Sequence, residues 1–244
     1  GLTIDFGPYG WLEGFDFGWT PNTTDNHHKR YRYGNQPNIG LWNLYQLANA
    51  LYPIIEDVAP LEEILDQYKV DFEQKSFQMM KSKLGLFSDH ENDLKLIQNL
   101  EDNLQLVETD MTIFFRKLSN FSDEKLGFEL IKKAFYDLEN ISDDVKNQWH
   151  LWFKNYNSRL QLESLSPSQR KEKMNSVNPK YVLRNYMSQL AIDKADESDY
   201  SLIDELYQLL KNPYSEQPEN EKWFAKRPEW ARNKVGCSML SCSS

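Results

Sequence analysis

From Pro37 onward the apolar residues recur at helical spacing. Leu41, Leu44, Leu47, Ala48 and Leu51 fall on one stripe, which predicts an amphipathic helix that Pro53 ends. Pro60 opens the next helix at its first position; that helix is expected to turn Leu61, Ile64, Leu65, Tyr68 and Phe72 inward and to close near Gly85. Further amphipathic segments are predicted at 92–107, 110–120, 126–139, 143–162, 167–175, 179–195 and 199–211. Ser142, Ser166 and Asn178 are candidate N-caps, the last two followed directly by Pro167 and Pro179. Trp149, Trp152, Phe153 and Tyr156 stand at helical spacing and read as core rather than as a cofactor box. The first residues follow another pattern. Leu2-Thr3-Ile4 reads as the end of a β-branched strand, and Gly7, Pro8 and Gly10 break it with turn chemistry. Residues 6–38 look irregular, but their aromatic side chains argue for order, and a loop of that length is usually functional or disordered. The segment from Asn212 onward shows no period and is expected to wrap over the helices, anchored by Trp223 and Trp230.

Composition sharpens this division. Seven of the ten glycines fall within the first 40 of the 244 residues, so the chain reads as loop first and helices after. The net charge of −9 argues against a broad phosphate-binding surface and so against nucleic acid as a partner. No run approaches the roughly 20 apolar residues that a membrane span needs, so no membrane role is expected. The two cysteines, Cys237 and Cys242, imply neither a disulfide framework nor a zinc site. The start at Gly1 carries no secretory-signal pattern. Asn22, Asn120 and Asn140 fit the glycosylation acceptor pattern and are read as ordinary surface residues.

Asp5-Phe6-Gly7 is the short motif with a mechanism attached. In protein kinases such a tripeptide ends a strand, and its carboxylate holds magnesium against the nucleotide phosphates. The order found here fits a mainly α, protein-kinase-like C-lobe: a short strand, Asp-Phe-Gly, a long activation-like loop, then helices. On this reading the chain divides into a metal-binding strand end and activation-like loop at 1–38, a helical C-lobe at 39–211 and an irregular tail at 212–244. A His-Arg-Asp loop, a phosphate-cradling glycine loop and a strand lysine are missing from the sequence. The glycines at 7, 10, 14 and 18 lack phosphate-loop spacing and are read as turns. His27-His28-Lys29-Arg30 with Arg32 is the one basic cluster; it reads as a solvated loop tip, with contact to phosphate or to an acidic protein segment as the alternative. His90 and His150 have no serine or cysteine partner that the sequence identifies.

The run Gly1-Leu2-Thr3-Ile4-Asp5-Phe6-Gly7-Pro8-Tyr9-Gly10 closely resembles the metal-binding segment of the selenoprotein O family of pseudokinase-like protein adenylyltransferases. The similarity continues through Thr20-Pro21-Asn22, Tyr33-Gly34-Asn35-Gln36-Pro37 and Leu41-Trp42-Asn43-Leu44. Asn178-Pro179, Val182-Leu183-Arg184-Asn185-Tyr186, Lys211-Asn212-Pro213-Tyr214 and Arg227-Pro228-Glu229-Trp230 follow in the family's order.

The resemblance implies a kinase-like fold that binds ATP in a reversed orientation and transfers AMP to Ser, Thr or Tyr hydroxyls of proteins, releasing pyrophosphate. It implies Asp5 as a ligand of both ATP and a divalent metal, Mg2+ or Mn2+. It also implies that the chain is roughly the C-terminal half of a full-length member. The proton-accepting aspartate, the second metal ligand and the ATP-binding basic residues are then expected upstream of Gly1, and the chain alone is expected to be inactive. The expected location is cytoplasmic for a bacterial member and mitochondrial for a eukaryotic one. Cys242 occupies the place of the family's selenocysteine or cysteine near the end of the chain. In some bacterial members this residue pairs with a loop cysteine, but Pro21 stands at that loop position here. Cys237 and Cys242 are left as possible redox residues, pairing with each other or acting singly. Two other readings stay open: kinase-type phosphoryl transfer, and a non-catalytic redox or regulatory module.

Overall fold

The computed structural model describes residues 10–20 and 27–234. Among them the fold is mainly helical, and β-structure is limited to two isolated antiparallel bridges, Gly14 with Asp110 and Thr109 with Phe135. The predicted strand at Leu2-Thr3-Ile4 lies outside the described residues. The helices are α1 (Gln36–Ile55), α2 (Ala59–Leu84), α3 (Asp93–Leu106), α4 (Met111–Leu118), α5 (Gly127–Ile131), α6 (Asp143–Leu160), α7 (Pro167–Val177), α8 (Asn185–Asp196) and α9 (Ser201–Lys211).

The core centres on α6. Trp149, Trp152, Phe153 and Tyr156 are all buried, as their spacing predicts, and meet Phe114 and Leu118 of α4 and Leu96, Leu100 and Leu104 of α3. Trp152 stacks on Tyr156 with ring centroids 4.9 Å apart. Both rings satisfy their polar atoms on backbone carbonyls: Trp152 Nε1 donates to Leu96 O at 3.0 Å, and Tyr156 Oη donates to Leu84 O at 2.7 Å. Gly127 lets α5 lie against this helix, since a Cβ there would sit 2.4 Å from Phe153 Cγ. A second apolar cluster joins Tyr186 and Met187 of α8 to Leu202, Leu206 and Leu209 of α9, with Tyr181, Trp223 and Ala231.

Local signals set several helix ends correctly. Ser142 accepts from Val145 N, and Ser166 forms a capping box with Gln169. Several expectations need correction. Pro53 does not stop α1 but lies inside it; the helix runs to Ile55 and is capped by Glu56, whose φ of 55° is left-handed. The segment 126–139 is not one helix. It makes short helical turns to Ala134, and then Phe135 and Tyr136 pair with Thr109 and Glu108, so tertiary pairing overrides the local pattern. Asn178 does not cap a helix start. It ends α7, its Nδ2 donates to Lys83 O, and Lys180 and Tyr181 donate their N–H groups to Pro213 O, which holds 179–184 extended until α8 begins at Asn185. Trp223 is buried in the tail, but Trp230 is half exposed, its ring set edge-on against Tyr186.

The α1 stripe is left largely exposed, and of the α2 residues expected inward Leu61, Leu65 and Tyr68 are half-buried while the others are not. Leu44, Leu47, Leu51, Ile64 and Phe72 are exposed, and Ile39 is the buried residue of α1. The two helices pack on each other as a hairpin, with Tyr68 Oη donating to Pro37 O at 3.2 Å, while only the end of α2 (Met80, Leu84) enters the core.

Candidate functional site

The described stretch after the Asp-Phe-Gly motif, residues 10–20, is fastened to the helical body by its main chain. Asn185, the first residue of α8, reads the Trp11 backbone in both directions: its Nδ2 donates to Trp11 O and its Oδ1 accepts from Trp11 N, each at 3.0 Å. Met111 N donates to Glu13 O at 3.0 Å and Phe15 N donates to Thr109 O at 3.1 Å, on either side of the Gly14–Asp110 bridge. Further along, Tyr33 N donates to Trp19 O and Gly34 N to Phe17 O. A Cβ on Gly34 would lie 2.9 Å from Phe17 Cβ, so glycine is what allows the two arms of the loop to close. The rings of Phe15, Phe17 and Tyr33 cluster there.

Beneath this segment lies a buried charge network. Arg184 grips Asp110 with both terminal nitrogens, at 2.5 and 3.1 Å. Asp110 also caps α4, accepting from Ile113 N at 2.9 Å, and accepts from Tyr136 Oη at 3.3 Å. Burial works against the Arg184 charge, but Asp110 outweighs it and holds the guanidinium more basic than usual. From the tail, Arg227 reaches Glu13 at 3.2 Å and Glu108 at 2.7 Å and lies over the Tyr136 ring. Burial raises the Glu13 carboxyl above its ordinary value, and Arg184 and Arg227 pull it back only in part. Glu13 Oε2 takes the Arg227 bond, whereas Oε1 is buried with no hydrogen-bond partner. A cleft of about 290 Å³ opens beside these groups, lined by Trp11, Glu13, Trp19, Gln105, Asn185 and Arg227 among others. A cleft of about 330 Å³ between α3 and α6, lined by His90, Lys95 and Arg159, lies away from this segment.

Asp5, Cys237, Cys242 and Pro21 fall outside the described residues. Among the described residues no three His, Cys, Asp or Glu side chains converge to hold a metal. A magnesium ion takes about six oxygen ligands, so the one carboxylate that the motif offers does not complete a site. His27, His28, Lys29 and Arg30 are exposed, with Arg30 over the Trp42 ring at 4.4 Å, which agrees with the loop-tip reading. His90 Nδ1 accepts from Asn92 N in a turn, and His150 is exposed beside Phe128. Sequence reasoning assigned no role to Glu13, Asp110, Arg184, Asn185 or Arg227. Arg184, Asn185 and Arg227 lay within segments that carry the family resemblance, which was their only available signal.

Residues 1–211 match the family described as Protein adenylyltransferase SelO. The chain is 59% identical over 248 residues to a protein nucleotidyltransferase YdiU of Flavobacterium johnsoniae, covering all of this chain and 47% of that protein. Proteins of the same description from Aromatoleum aromaticum and Rhodopirellula baltica are 48% and 46% identical, again over the whole chain and over 46% and 48% of their own lengths. The chain thus spans about half the length of the curated relatives it matches. It belongs to the SelO family.

Two outcomes are expected from the buried network. Replacing Arg184 with Met strands the Asp110 carboxylate and is expected to cost about 3–5 kcal/mol, whereas removing the exposed Lys69 partner of Asp66 should change stability by less than about 1 kcal/mol; denaturant titration distinguishes them. Glu13 gives a pH dependence. Its folded pKa lies above the ordinary 4.5, so the folded chain binds the proton more tightly than the unfolded one, and stability falls as pH rises from about 4.5 through the folded value. Glu13→Gln should flatten that slope in melting temperatures taken across the range.

Proposed function

We propose, taking membership of the SelO family as the premise, that this chain is the kinase-like C-lobe portion of a metal-dependent protein adenylyltransferase. The observation that carries the reading is the family match running from the Asp-Phe-Gly motif through the helical body. The names of the relatives, protein nucleotidyltransferases, support the same reaction class. The division at 1–38, 39–211 and 212–244 is retained as activation-like loop, helical lobe and tail. A cytoplasmic setting accords with the bacterial relatives.

In the proposed reaction a Ser, Thr or Tyr hydroxyl oxygen of a protein bonds to the α-phosphorus of ATP. The bond from that phosphorus to the β-phosphate bridging oxygen breaks, and pyrophosphate leaves. The hydroxyl proton passes to a base supplied outside residues 1–244. Asp5 contributes one carboxylate toward ATP and a Mg2+ or Mn2+ ion; bound cations of this kind neutralise phosphate charge. The part played by the described residues is positional. Asn185, the Gly14–Asp110 bridge and the Asp110–Arg184 pair fasten the described stretch that follows the motif in sequence, from Trp11 to Gly14, to the helical body.

In the full-length protein Asp5→Ala is expected to abolish transfer of labelled AMP while leaving the thermal transition nearly unchanged, and the 244-residue chain alone is expected to transfer none. Intact mass of the acceptor protein checks the chemistry: a gain of an adenylyl group supports the reading, and a phosphoryl group counts against it. Wild-type transfer by the Asp5→Ala protein would remove Asp5 from the site.

The cysteines carry a separate proposal, that Cys242 is an accessible thiol able to pair with Cys237 or to react singly. Thiol titration of the native protein should detect it under reducing conditions and lose it on oxidation, with Cys242→Ser abolishing the change. Two thiols unreactive in both conditions would refute it.

A further inference from the structure

The cleft of about 330 Å³ between α3 and α6 differs in charge from the rest of the molecule. The chain carries 37 acidic against 28 basic residues, and two other clefts share that excess. Glu13, Asp16 and Glu108 line one of them beside Arg227; Asp193, Glu197 and Glu205 line a groove between α8 and α9 beside Lys194 and Lys222. Among the described residues that line the α3–α6 cleft, none is Asp or Glu, and Lys95 and Arg159 are cations.

The carboxylates that Arg159 touches are buried and already paired. Arg159 Nε donates to Asp93 at 2.6 Å and Nη1 to Glu163 at 2.8 Å, and Lys81 brings a second cation to Asp93 at 3.4 Å. With Nη2 donating to Ser88 O and Asp93, one Nη1 proton of Arg159 is left uncommitted. Lys95 is exposed and makes no ion pair among the described residues, and the side-chain amides of Asn92, Asn99 and Asn155 hold no hydrogen bond among them. His90 Nδ1 accepts from Asn92 N, which leaves Nε2 of the neutral ring as a donor. The uncommitted charge of the cleft is therefore positive and is accompanied by free N–H groups, while Leu96 and Leu162 supply apolar wall. The walls are also preset, because Trp152 Nε1 on α6 donates to Leu96 O on α3 at 3.0 Å and the Arg159–Asp93 pair joins the same two helices.

We infer that this cleft binds a small organic oxyanion, a carboxylate or a phosphomonoester, with the anionic group at Lys95 and the carboxamides and the carbon skeleton on Leu96 and Leu162. Ligand pockets run from roughly 300 to 1,000 Å³, so a cleft of about 330 Å³ suits a molecule smaller than a nucleotide. The site is separate from AMP transfer, since the cleft lies away from the segment that follows the Asp-Phe-Gly motif.

The test uses the full-length protein with one equivalent of magnesium and a non-hydrolysable ATP analogue, which keeps the probes out of a nucleotide site. Succinate and glycerol phosphate are titrated separately at constant ionic strength, and binding is read by saturation-transfer NMR. Saturable binding of at least one probe is expected, and which one binds tells carboxylate from phosphomonoester. Lys95→Met, which removes the free cation, and Asn155→Asp, which puts a carboxylate into the cleft, should each weaken that binding by about fivefold or more. Lys154→Met, on the same helix but outside the cleft, should leave it unchanged. Lys95 and Asn155 are exposed, so neither variant is expected to disturb folding, and thermal transitions check this. Failure of both probes to saturate up to about 20 mM, or binding that Lys95→Met and Asn155→Asp leave intact, would overturn the proposal. The wild-type titration needs no variant, so the proposal can fail on that measurement alone.

Discussion

The pairing of Asp110 with Arg184 is the constraint around which the rest of the described structure is arranged. Asp110 caps α4, bridges to Gly14, donates its own N–H to Ala134 O and accepts from Tyr136. Arg184 is the last residue before α8, next to the Asn185 that holds Trp11. One ion pair therefore sets the relation of the loop after the motif, the α4 entrance, the 135–136 turn and the α8 entrance. Burying these charges costs several kcal/mol per ion before their attraction is counted. What the pair provides is direction: a planar guanidinium donates to a carboxylate in few orientations, whereas an apolar contact fixes orientation less closely.

Polar ties of the same kind join the two apolar clusters. Buried Arg116 on α4 donates to the carbonyls of Asn175, Asn178 and Tyr214 and to Glu216, and Lys180 holds Glu216 and Glu221. Burial alone would raise the Glu216 carboxyl, but the Lys180 and Arg116 hydrogen bonds bring it down to about 2. The tail is thus held by cations anchored in the helical body as well as by Trp223, and this explains why Trp230 can stay half exposed without freeing the segment.

Much of the fold was legible because its signals are local. The α6 stripe, the Ser142 and Ser166 caps and the helical character from Pro37 onward follow from spacing and capping chemistry within a few residues. Two of the failures share one cause. At 135–136 and 179–184 the backbone bonds to partners far along the chain, and no periodicity within the segment reports them. The candidate site divides the same way. Asp5-Phe6-Gly7 is a contiguous motif, so a site there can be proposed from the sequence. By contrast, Asp110 and Arg184 stand 74 residues apart, Trp11 and Asn185 174 apart, and Glu13 and Arg227 214 apart. Only the family likeness of the segments around Arg184, Asn185 and Arg227 marked any of these partners in the sequence.

Helix α1 is the opposite case: its local pattern was read correctly as apolar, and the fold of the described residues does not satisfy it. Disagreement between local pattern and surroundings concentrates at functional places, and the connections of α1 give this disagreement a direction. The turn at Tyr33–Asn35 leads straight into the helix, Tyr33 and Gly34 bond back to Trp19 and Phe17, and Arg30 lies over Trp42. The loop that follows the Asp-Phe-Gly motif is therefore fastened at one end to Asp110 and Asn185 and at the other to the start of α1.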